Sequence, residues 1–127
     1  MERIPIEVEG LTPASSFSLG LQVGDLVFLA GQGGRDPGTG ELPPTIEEQT
    51  ERTIRTIETL LGAAGCTLAD VVSCLVHLTD LTLFERYNAV YERHFSEPRP
   101  VRTTVGAPLL GGAMIEVTAI ARRRGAA

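Results

Sequence analysis

Apolar residues are spaced in two ways along the chain, and these spacings predict a sheet with helices packed against it. Two runs, Leu26–Gly31 and Val71–Leu78, are almost continuously apolar and have the length of buried strands. Two later segments, Pro98–Gly106 and Met114–Ala121, are rich in valine, isoleucine and threonine and are joined by a glycine-containing loop. Two shorter strands complete the predicted set: Arg3–Val8 and Phe17–Leu21. The first is expected at an edge of the sheet because it contains Pro5.

Apolar residues recur at helical spacing after Thr45 and again after Thr82. Thr45 and Glu48 match a capping box, in which each side chain caps the backbone of the other residue. Gly65 is expected to end the helix that they start. One face of this helix consists of apolar or small residues: Ile46, Thr50, Ile54, Ile57, Leu61 and Ala64. The same pattern at Thr82 and Glu85 predicts a second helix with an aromatic inner side: Phe84, Tyr87, Tyr91 and Phe95.

The predicted order is three strands, a helix, a strand, a helix and two strands. This order predicts an α+β fold, a mixed sheet of about six strands with both helices on one face. Because a helix connects Leu26–Gly31 to Val71–Leu78, these two strands are expected to pair in parallel through a right-handed crossover.

Two helices cover only one face of such a sheet, yet Leu26–Gly31 and Val71–Leu78 are apolar on both faces. The second face therefore needs a cover, and another copy of the same chain is the simplest one. We expect a closed homo-oligomer with Arg102 and Glu116 near the boundaries between its subunits.

Arg102 and Glu116 are single charges inside otherwise uncharged strands. Arg102 shares a strand face with Thr104, and Glu116 lies opposite the apolar side chains of Ile115 and Val117. A charged side chain inside a strand is expected either to form an ion pair or to take part in binding or catalysis. Two interpretations are open: a structural ion pair between neighbouring strands, or a site in which Arg102 grips a carboxylate and Glu116 handles a water or a proton.

The chain has 127 residues and a formal net charge of −5, which fits one domain over residues 1–127. No basic stripe is present, and the run Arg122–Arg124 ends a strand, so nucleic acid is not an expected partner. No stretch approaches about 18 consecutive apolar residues, and the N-terminus has no signal-peptide core. We therefore expect no membrane partner and a cytoplasmic location.

Motifs for metal, nucleotide or nucleophile chemistry are missing from the sequence. Cys66 and Cys74 have neither a zinc spacing nor a disulfide framework, and His77 and His94 match no histidine ligand motif. The glycine-rich loop Gln32–Pro44 lacks the lysine ending of a phosphate-binding loop, and no serine lies in a nucleophile elbow. The sequence therefore predicts no metal site and no nucleotide site.

Short segments spread over nearly the whole chain match one family pattern: Ala30-Gly31-Gln32, Asp36-Pro37-x-Thr39-Gly40-Glu41, Glu48-Gln49-Thr50, Ala64-Gly65, Asp70-Val71-Val72, Asp80-Leu81, Asn88-Ala89-Val90-Tyr91, Pro100-Val101-Arg102-Thr103 and Ile115-Glu116-Val117-x-Ala119-Ile120-Ala121. Together they resemble the RidA/YjgF family of reactive-intermediate deaminases. The resemblance implies a chorismate-mutase-like homotrimer with a central barrel and with sites in the clefts between subunits. It also implies hydrolysis of 2-imino or enamine acids, such as 2-aminoacrylate and 2-iminobutanoate, to 2-keto acids and ammonia, without a cofactor or metal.

The resemblance also assigns site residues. Arg102 corresponds to the family's carboxylate-binding arginine, and Glu116 corresponds to its glutamate. Asn88, by default an ordinary helix-surface amide, corresponds to the family's helix asparagine, and Gly31 to its backbone amide donor. Arg102 would then fix the substrate carboxylate, while Glu116 would hold the attacking water and relay a proton to the departing ammonia.

Three positions depart from many deaminases of the family. The chain has Phe17 where they have a tyrosine, Thr104 where they have a cysteine, and Ala30 where they have a serine. Phe17 and Thr104 are still expected to line the substrate site. The missing phenol hydroxyl removes a hydrogen-bond donor worth about 1 kcal/mol, which leaves the substrate range open.

The leading functional hypothesis is an imine deaminase that acts on small imino acids and releases keto acids. The alternative is a noncatalytic trimer of the same family that binds small carboxylates or serves as a chaperone-like or regulatory partner. Endoribonuclease activity is a third function sometimes attached to the family. The net charge of −5 and the lack of a run of aromatic and basic residues argue against it.

Overall fold

Six strands form one mixed sheet, and two helices pack against one of its faces, as a computed structural model of residues 1–124 shows. This architecture confirms the predicted α+β fold. Residues 125–127 of the predicted domain lie outside the described residues. The strands and helices are β1 (Arg3–Pro5), β2 (Gly20–Val23), β3 (Leu26–Leu29), α1 (Ile46–Ala63), β4 (Val71–Leu78), α2 (Phe84–His94), β5 (Val101–Gly106) and β6 (Ile115–Arg122).

The predicted start and end of α1 are confirmed, although of the predicted capping box only the Thr45 half is found among the hydrogen bonds of residues 1–124. The Thr45 hydroxyl accepts a 3.2 Å hydrogen bond from the backbone N–H of Glu48 at the first turn. Gly65 follows the last turn at φ +77°, a left-handed conformation that glycine adopts without strain. The N–H of Cys66 then donates back to the carbonyl of Leu61 over 2.8 Å, which satisfies a carbonyl that the helix leaves free.

The predicted start of α2 is wrong. Asp80, and not Thr82, caps the chain here: its Oδ1 accepts hydrogen bonds from the Thr82 N–H at 2.9 Å and from the Thr82 hydroxyl at 2.6 Å. A short 3-10 turn, Leu81–Leu83, then leads into α2. An aspartate two residues earlier competes for the same free N–H groups, so the threonine hydroxyl becomes a donor to Asp80. The inner side of the helix is buried as predicted, at Tyr87, Val90 and Tyr91, with Phe95 just beyond its end.

The strand order is β1-β2-β3-β6-β4-β5, and it corrects the expected pairing of β3 with β4. β6 lies between them and is antiparallel to both, with Ala121 opposite Val27 and Val117 opposite Val76. In the described residues the parallel pair is instead β4 with β5, which α2 connects. β6 takes the central position because every second residue from Ile115 to Ala121 is buried under the helices, which makes it the most deeply covered strand.

The N-terminal strands are shorter than predicted and shifted. β1 ends at Pro5 and β2 begins only at Gly20, so Phe17 lies in the loop between them. β3 ends at Leu29, and the next residues leave the strand toward the glycine-rich loop. β1 occupies a sheet edge, as its proline predicts.

The sheet has a covered face and an open face. Side chains such as Val27, Val76 and Val117 are buried beneath the helices on the covered face. On the opposite, open face the large apolar side chains stay accessible: Phe28 is 40% exposed and Leu75 is 38% exposed. Two helices therefore cover only one side of this sheet, as predicted. Cover of the open face by another copy of the chain stays a prediction.

No helix within residues 1–124 combines the length and the apolar character that crossing a bilayer requires.

Candidate functional site

Arg102 is surrounded by aromatic rings and an amide on the covered face. Its guanidinium carbon lies 5.5 Å from the ring centroids of Phe84 and Tyr87 and 4.6 Å from that of Tyr91. Its Nη1 donates a 2.6 Å hydrogen bond to Asn88 Oδ1. We call these five residues the arginine cluster. Cation–π contact and a charge-assisted hydrogen bond hold the guanidinium in one place.

The arginine cluster follows from the spacing along α2. Tyr87 and Asn88 each lie three or four residues from both Phe84 and Tyr91, so all four face the same neighbouring strand. Asn88 Nδ2 donates to the side chain of Glu92 at 3.1 Å, one turn further on, which turns the amide oxygen toward Arg102. Asn88 is therefore more than the ordinary surface amide that its sequence position suggests by default.

Arg102 lacks an acidic partner in the described part of the chain. None of the carboxylates within residues 1–124 forms an ion pair with it, although its side chain is only partly exposed. It also lines a cavity of about 220 Å³ beside α2. A half-buried guanidinium with one hydrogen-bond acceptor has further N–H donors to offer an anion. This arrangement can bind a carboxylate.

The groups packed beneath Arg102 are neutral. Thr104, on the same strand face, shares a 2.8 Å hydrogen bond with the Tyr87 hydroxyl. Burial raises the pKa of the Tyr87 and Tyr91 phenols, and it raises the pKa of the Cys74 thiol on β4, which pairs with Arg102 in register. All three groups therefore keep their protons near neutral pH, so none of them supplies a negative charge to Arg102.

Glu116 lies on the open face, beside the chain that leaves β3. Gln32 and Val117 exchange two backbone hydrogen bonds of 2.9 Å, which bring this segment alongside β6. A methyl group added at Gly31 would lie 2.5 Å from Glu116 Oε1, too close for two atoms that are not bonded. Glycine therefore leaves the space that the Glu116 carboxylate occupies.

The backbone amide of Gly31 is an available donor. The N–H of Ala30 donates to the Leu19 carbonyl at 2.8 Å, and that of Gln32 donates to Val117. Among the hydrogen bonds of residues 1–124, the N–H of Gly31 between them has no acceptor, and the residue is exposed. An unpaired backbone N–H next to a carboxylate can hold an oxygen of a bound substrate or water.

Phe17 belongs to the Glu116 side of the molecule. Its ring is 53% exposed and lines a surface groove together with Leu19. Leu19 also lines the groove that contains Glu116, and its carbonyl binds the N–H of Ala30 next to Gly31. We call Gly31 and Glu116 the glutamate cluster; Phe17 lies in a neighbouring groove that shares Leu19 with the groove of Glu116.

The six predicted site residues thus fall into two groups that one chain does not bring together: Arg102, Asn88 and Thr104 beside α2, and Glu116 and Gly31 with Phe17 in the neighbouring groove. β4 separates β5 from β6, so Arg102 pairs with Cys74 in register while Glu116 pairs with His77. The two side chains lie on opposite sheet faces, and their strands are about 10 Å apart. The structural ion pair considered from the sequence is therefore not formed within residues 1–124.

Sequence reasoning assigned no role to His77, which lies directly opposite Glu116 on the open face. Its Nδ1 is buried and has no hydrogen-bond partner among the described residues. Strand alternation places His77 on the same face as Leu75, but only the observed pairing of β4 with β6 shows that it is a neighbour of Glu116.

The described residues contain no group of three or more histidine, cysteine, aspartate and glutamate side chains close enough to hold a metal ion.

Comparison with known proteins identifies the family. The sequence model of the family described as Endoribonuclease L-PSP matches residues 8–123. The chain belongs to this family. A RutC family protein of Saccharolobus solfataricus is 40% identical over 125 residues, which covers 97% of this chain and 99% of that relative.

Solved structures of RidA/YjgF family members have the same fold. RidA from an Antarctic Psychrobacter species is 35% identical to this chain with a TM-score of 0.89, and the match covers 94% of this chain and 99% of that one. E. coli TdcF, solved with bound serine, is 30% identical with a TM-score of 0.88, and the match covers 94% and 98% of the two chains. The resemblance found in the sequence to the RidA/YjgF family is therefore confirmed.

Replacing Gly31 with alanine is expected to displace the Glu116 carboxylate, because the new methyl group would occupy its place. The backbone at Gly31 is not left-handed, so the variant should fold with an unchanged thermal midpoint. Gly33→Ala is the matched control, since its methyl group meets only the Ile115 carbonyl at an ordinary 3.7 Å. For the imine hydrolysis that the sequence resemblance predicts, we expect Gly31→Ala to lower kcat at least tenfold and Gly33→Ala to leave it near the wild-type value. Equal kcat values in the two variants would show that the Glu116 position beside Gly31 is not needed.

Proposed function

We propose that this protein is a cofactor-independent deaminase that hydrolyses small 2-imino and enamine acids, such as 2-aminoacrylate and 2-iminobutanoate, to 2-keto acids and ammonia. Membership of the RidA/YjgF family supports this reaction class. The observation that carries the proposal is the preorganised guanidinium of Arg102, which is held by three rings and Asn88 and has no acidic partner in residues 1–124. Such a group fits the carboxylate of an imino acid.

We further propose that the active site forms between two copies of the chain in a homotrimer. Arg102 and Glu116 lie on opposite faces of the sheet, so they act on one substrate only if they come from different subunits. The accessible apolar side chains of the open face, including Phe28 and Leu75, support burial against another copy. The number of copies, three, rests on the family resemblance.

In this mechanism Arg102 binds and orients the substrate. Two parallel N–H groups of the guanidinium hold the substrate carboxylate in a fixed plane, and Asn88 and the aromatic rings keep the guanidinium still. The positive charge next to the iminium carbon draws electron density from it, which favours attack by water. The free N–H of Gly31 supplies a further donor to the bound substrate.

Glu116 carries the proton transfers. Its carboxylate accepts a proton from water while the water oxygen forms a bond to C2 of the iminium, which gives a neutral carbinolamine nitrogen. The same carboxyl group then donates that proton to the nitrogen. The C–N bond breaks with its electron pair going to nitrogen, which releases ammonia. The hydroxyl oxygen forms the carbonyl and passes its proton through the Glu116 carboxylate to that ammonia, so that 2-keto acid and ammonium leave.

A coupled assay tests the proposed reaction. A pyridoxal-phosphate-dependent threonine or serine dehydratase generates 2-iminobutanoate or 2-aminoacrylate, and semicarbazide trapping follows the imine with and without this protein. We expect the trapped imine to fall in proportion to the concentration of the protein, while total keto acid stays constant. Imine lifetimes that do not depend on the protein would refute the proposed activity.

The proposed homotrimer has a simple expected mass. Light scattering of the chain at micromolar concentration is expected to give three times the chain mass of 13.6 kDa. A matched pair of variants separates the open face from the rest of the surface: Leu75→Asp should yield smaller species, whereas Leu81→Asp, at a more exposed leucine outside the sheet, should not. A monomeric wild-type protein would remove the shared site, and a stable dimer would exclude three-fold assembly.

Phe17 shapes the site without offering a hydrogen bond. Phe17→Tyr restores the phenol found in many family deaminases, so we expect kcat/KM to rise a few-fold or the order of preferred imino acids to change. The exposed position of the ring leaves room for the hydroxyl, and the thermal midpoint should stay the same. Identical kinetics across several imino acids would show that Phe17 does not face the substrate.

A noncatalytic carboxylate-binding protein is the second candidate function. The arginine cluster is complete within one chain and can bind a carboxylate without Glu116, and bound serine in the similar TdcF structure supports a small carboxylate ligand. This candidate predicts saturable binding of 2-ketobutyrate in calorimetry together with no acceleration of imine loss. The coupled assay therefore separates the two functions.

The family description names an endoribonuclease, but the charge of this chain does not favour RNA as a substrate. The net charge is −5, and Arg124 of the C-terminal basic run is paired with Asp70 at 2.8 Å. RNA binding depends on uncompensated basic surface and on exposed stacking rings.

A further inference from the structure

A second arginine shares the cavity next to Arg102. The cavity measures about 220 Å³ and is lined by Asn88, Tyr91, Glu92, Arg99, Pro100 and Arg102. We infer that Arg99 forms a second anion-binding position in this cavity, so that the site takes 2-imino dicarboxylates, with one carboxylate on Arg102 and the other on Arg99. This inference rests on the proposed function, which it extends to a substrate class.

Arg99 is anchored at one edge of its guanidinium. Its Nε donates a 2.9 Å hydrogen bond to the carbonyl of Phe95, just after the last turn of α2. This bond fixes the side chain along the cavity wall and leaves both terminal nitrogens for other partners. A guanidinium held through Nε presents its two Nη groups, and these can bind a carboxylate.

The ion pair between Arg99 and its acidic neighbour is weak. Glu97 Oε1 lies 3.5 Å from Arg99 Nη1, and the Glu97 side chain is 84% exposed. Exposed ion pairs of this kind contribute little, because water screens them and two flexible side chains must be ordered. A ligand carboxylate inside the cavity can therefore replace Glu97 as the partner of Arg99 at small cost.

The lining of the cavity carries a net charge of +1 and offers two separate guanidinium groups to a ligand. Two guanidinium groups line it, and Glu92 is the one acidic side chain among its six lining residues. The Glu92 carboxylate is already engaged by the amide of Asn88. A monocarboxylate neutralises Arg102 alone, whereas a dicarboxylate also neutralises Arg99. The added charge-assisted contact is the source of the expected preference.

The length of the ligand follows from the chain. Arg99 and Arg102 are three residues apart in the chain, so their Cα atoms are at most about 10 Å apart, and both long side chains line one cavity. Carboxylates separated by one or two methylene groups and the imine carbon suit such a pair. The proposed substrates are therefore four- and five-carbon acids, 2-iminosuccinate and 2-iminoglutarate. Their hydrolysis has the same balance as before: water is consumed, and oxaloacetate or 2-ketoglutarate is formed with ammonia.

Binding of stable keto acids tests the inference without catalysis. Calorimetry compares 2-ketoglutarate with 2-oxovalerate, a five-carbon monocarboxylate of the same length. We expect the wild-type protein to bind 2-ketoglutarate at least tenfold more tightly, the effect of one charge-assisted contact. Arg99→Gln is expected to bring the ratio of the two dissociation constants to about one. Arg93→Gln, which removes an exposed positive charge from α2 outside the cavity, is expected to keep the wild-type ratio.

The outcomes separate the inference from the proposed function. A wild-type ratio near one, or an Arg99→Gln ratio equal to that of Arg93→Gln, would overturn the Arg99 position. Arg99→Lys provides a second variant if Arg99→Gln does not fold: it keeps the charge, and an intermediate ratio supports the inference. In parallel, the imines are generated by L-glutamate and L-2-aminopentanoate oxidation and followed by trapping. The expected binding ratios together with no hydrolysis of either imine would support the second anion position and refute the deaminase.

Discussion

Replacing Arg102 with lysine is expected to lower kcat/KM for imine hydrolysis about 100-fold while leaving the fold and the oligomer intact. Lysine keeps the positive charge, but its ammonium is a point charge without the planar fork that holds a carboxylate at two points. It also loses the flat surface that contacts the rings of Phe84, Tyr87 and Tyr91. A substrate displaced by about one ångström loses on the order of 100-fold in rate.

Three measurements on the same preparations show whether a loss of activity in the Arg102 variants comes from the site or from folding and assembly. Thermal midpoint, oligomer mass and hydrolysis rate are compared for wild type, Arg102→Lys and Arg102→Ala, with Arg93→Lys as the matched control on the exposed side of α2. Arg102→Ala should be slower than Arg102→Lys, because it removes the charge as well as the fork. A folded Arg102→Lys oligomer with near-wild-type turnover would end the proposal that Arg102 orients the substrate.

Glu116→Gln is expected to lower kcat by a factor of 10² to 10⁴, roughly the contribution of a positioned acid–base group. Glutamine has nearly the same shape and fills the same space beside Gly31, but it accepts no proton from water near neutral pH. KM should change little, because in the proposed mechanism Arg102 holds the substrate carboxylate. The protein should stay folded, since Glu116 has no ion pair or hydrogen bond to lose within residues 1–124.

Glu85→Gln is the control for this substitution, because Glu85 is an exposed glutamate that belongs to neither cluster. Its kcat should equal the wild-type value. If Glu116→Gln also retained wild-type kcat, the proton would have to pass through another group, and His77, its neighbour across the strands, would be the first to test.

The local chemistry of the fold could be predicted from the sequence, because it depends on residues close together in the chain. The Thr45 cap, the Gly65 end of α1 and the alternation that separates Glu116 from Ile115 all follow from spacings of one to four residues. The order of the strands in the sheet does not follow from such short spacings. Whether β4 or β6 lies next to β3 depends on which long strand gains most from the centre of the sheet, and that comparison involves the whole core.

The candidate site, too, could be predicted only in part from the sequence. The sequence singled out Arg102 and Glu116 because charges rarely lie inside strands, and the resemblance added Gly31 and Asn88. The hydrogen bond from Arg102 to Asn88 could not be predicted, since it requires β5 to lie beside the polar border of α2. The separation of Arg102 from Glu116 required the position of β4 between β5 and β6. That separation, which a single sequence does not reveal, is the reason for proposing a shared site.

Mixing two inactive variants tests most directly whether the site is shared between subunits. Arg102→Ala and Glu116→Gln chains are co-expressed with different affinity tags, and oligomers that carry both tags are isolated and assayed for imine hydrolysis. Where one subunit supplies Arg102 and the next supplies Glu116, every trimer that carries both tags contains one complete site, about one third of the total. We predict that the mixed oligomers recover activity of that order, while each variant alone stays inactive. Mixed oligomers that are as inactive as the separate variants would contradict a site built from two subunits.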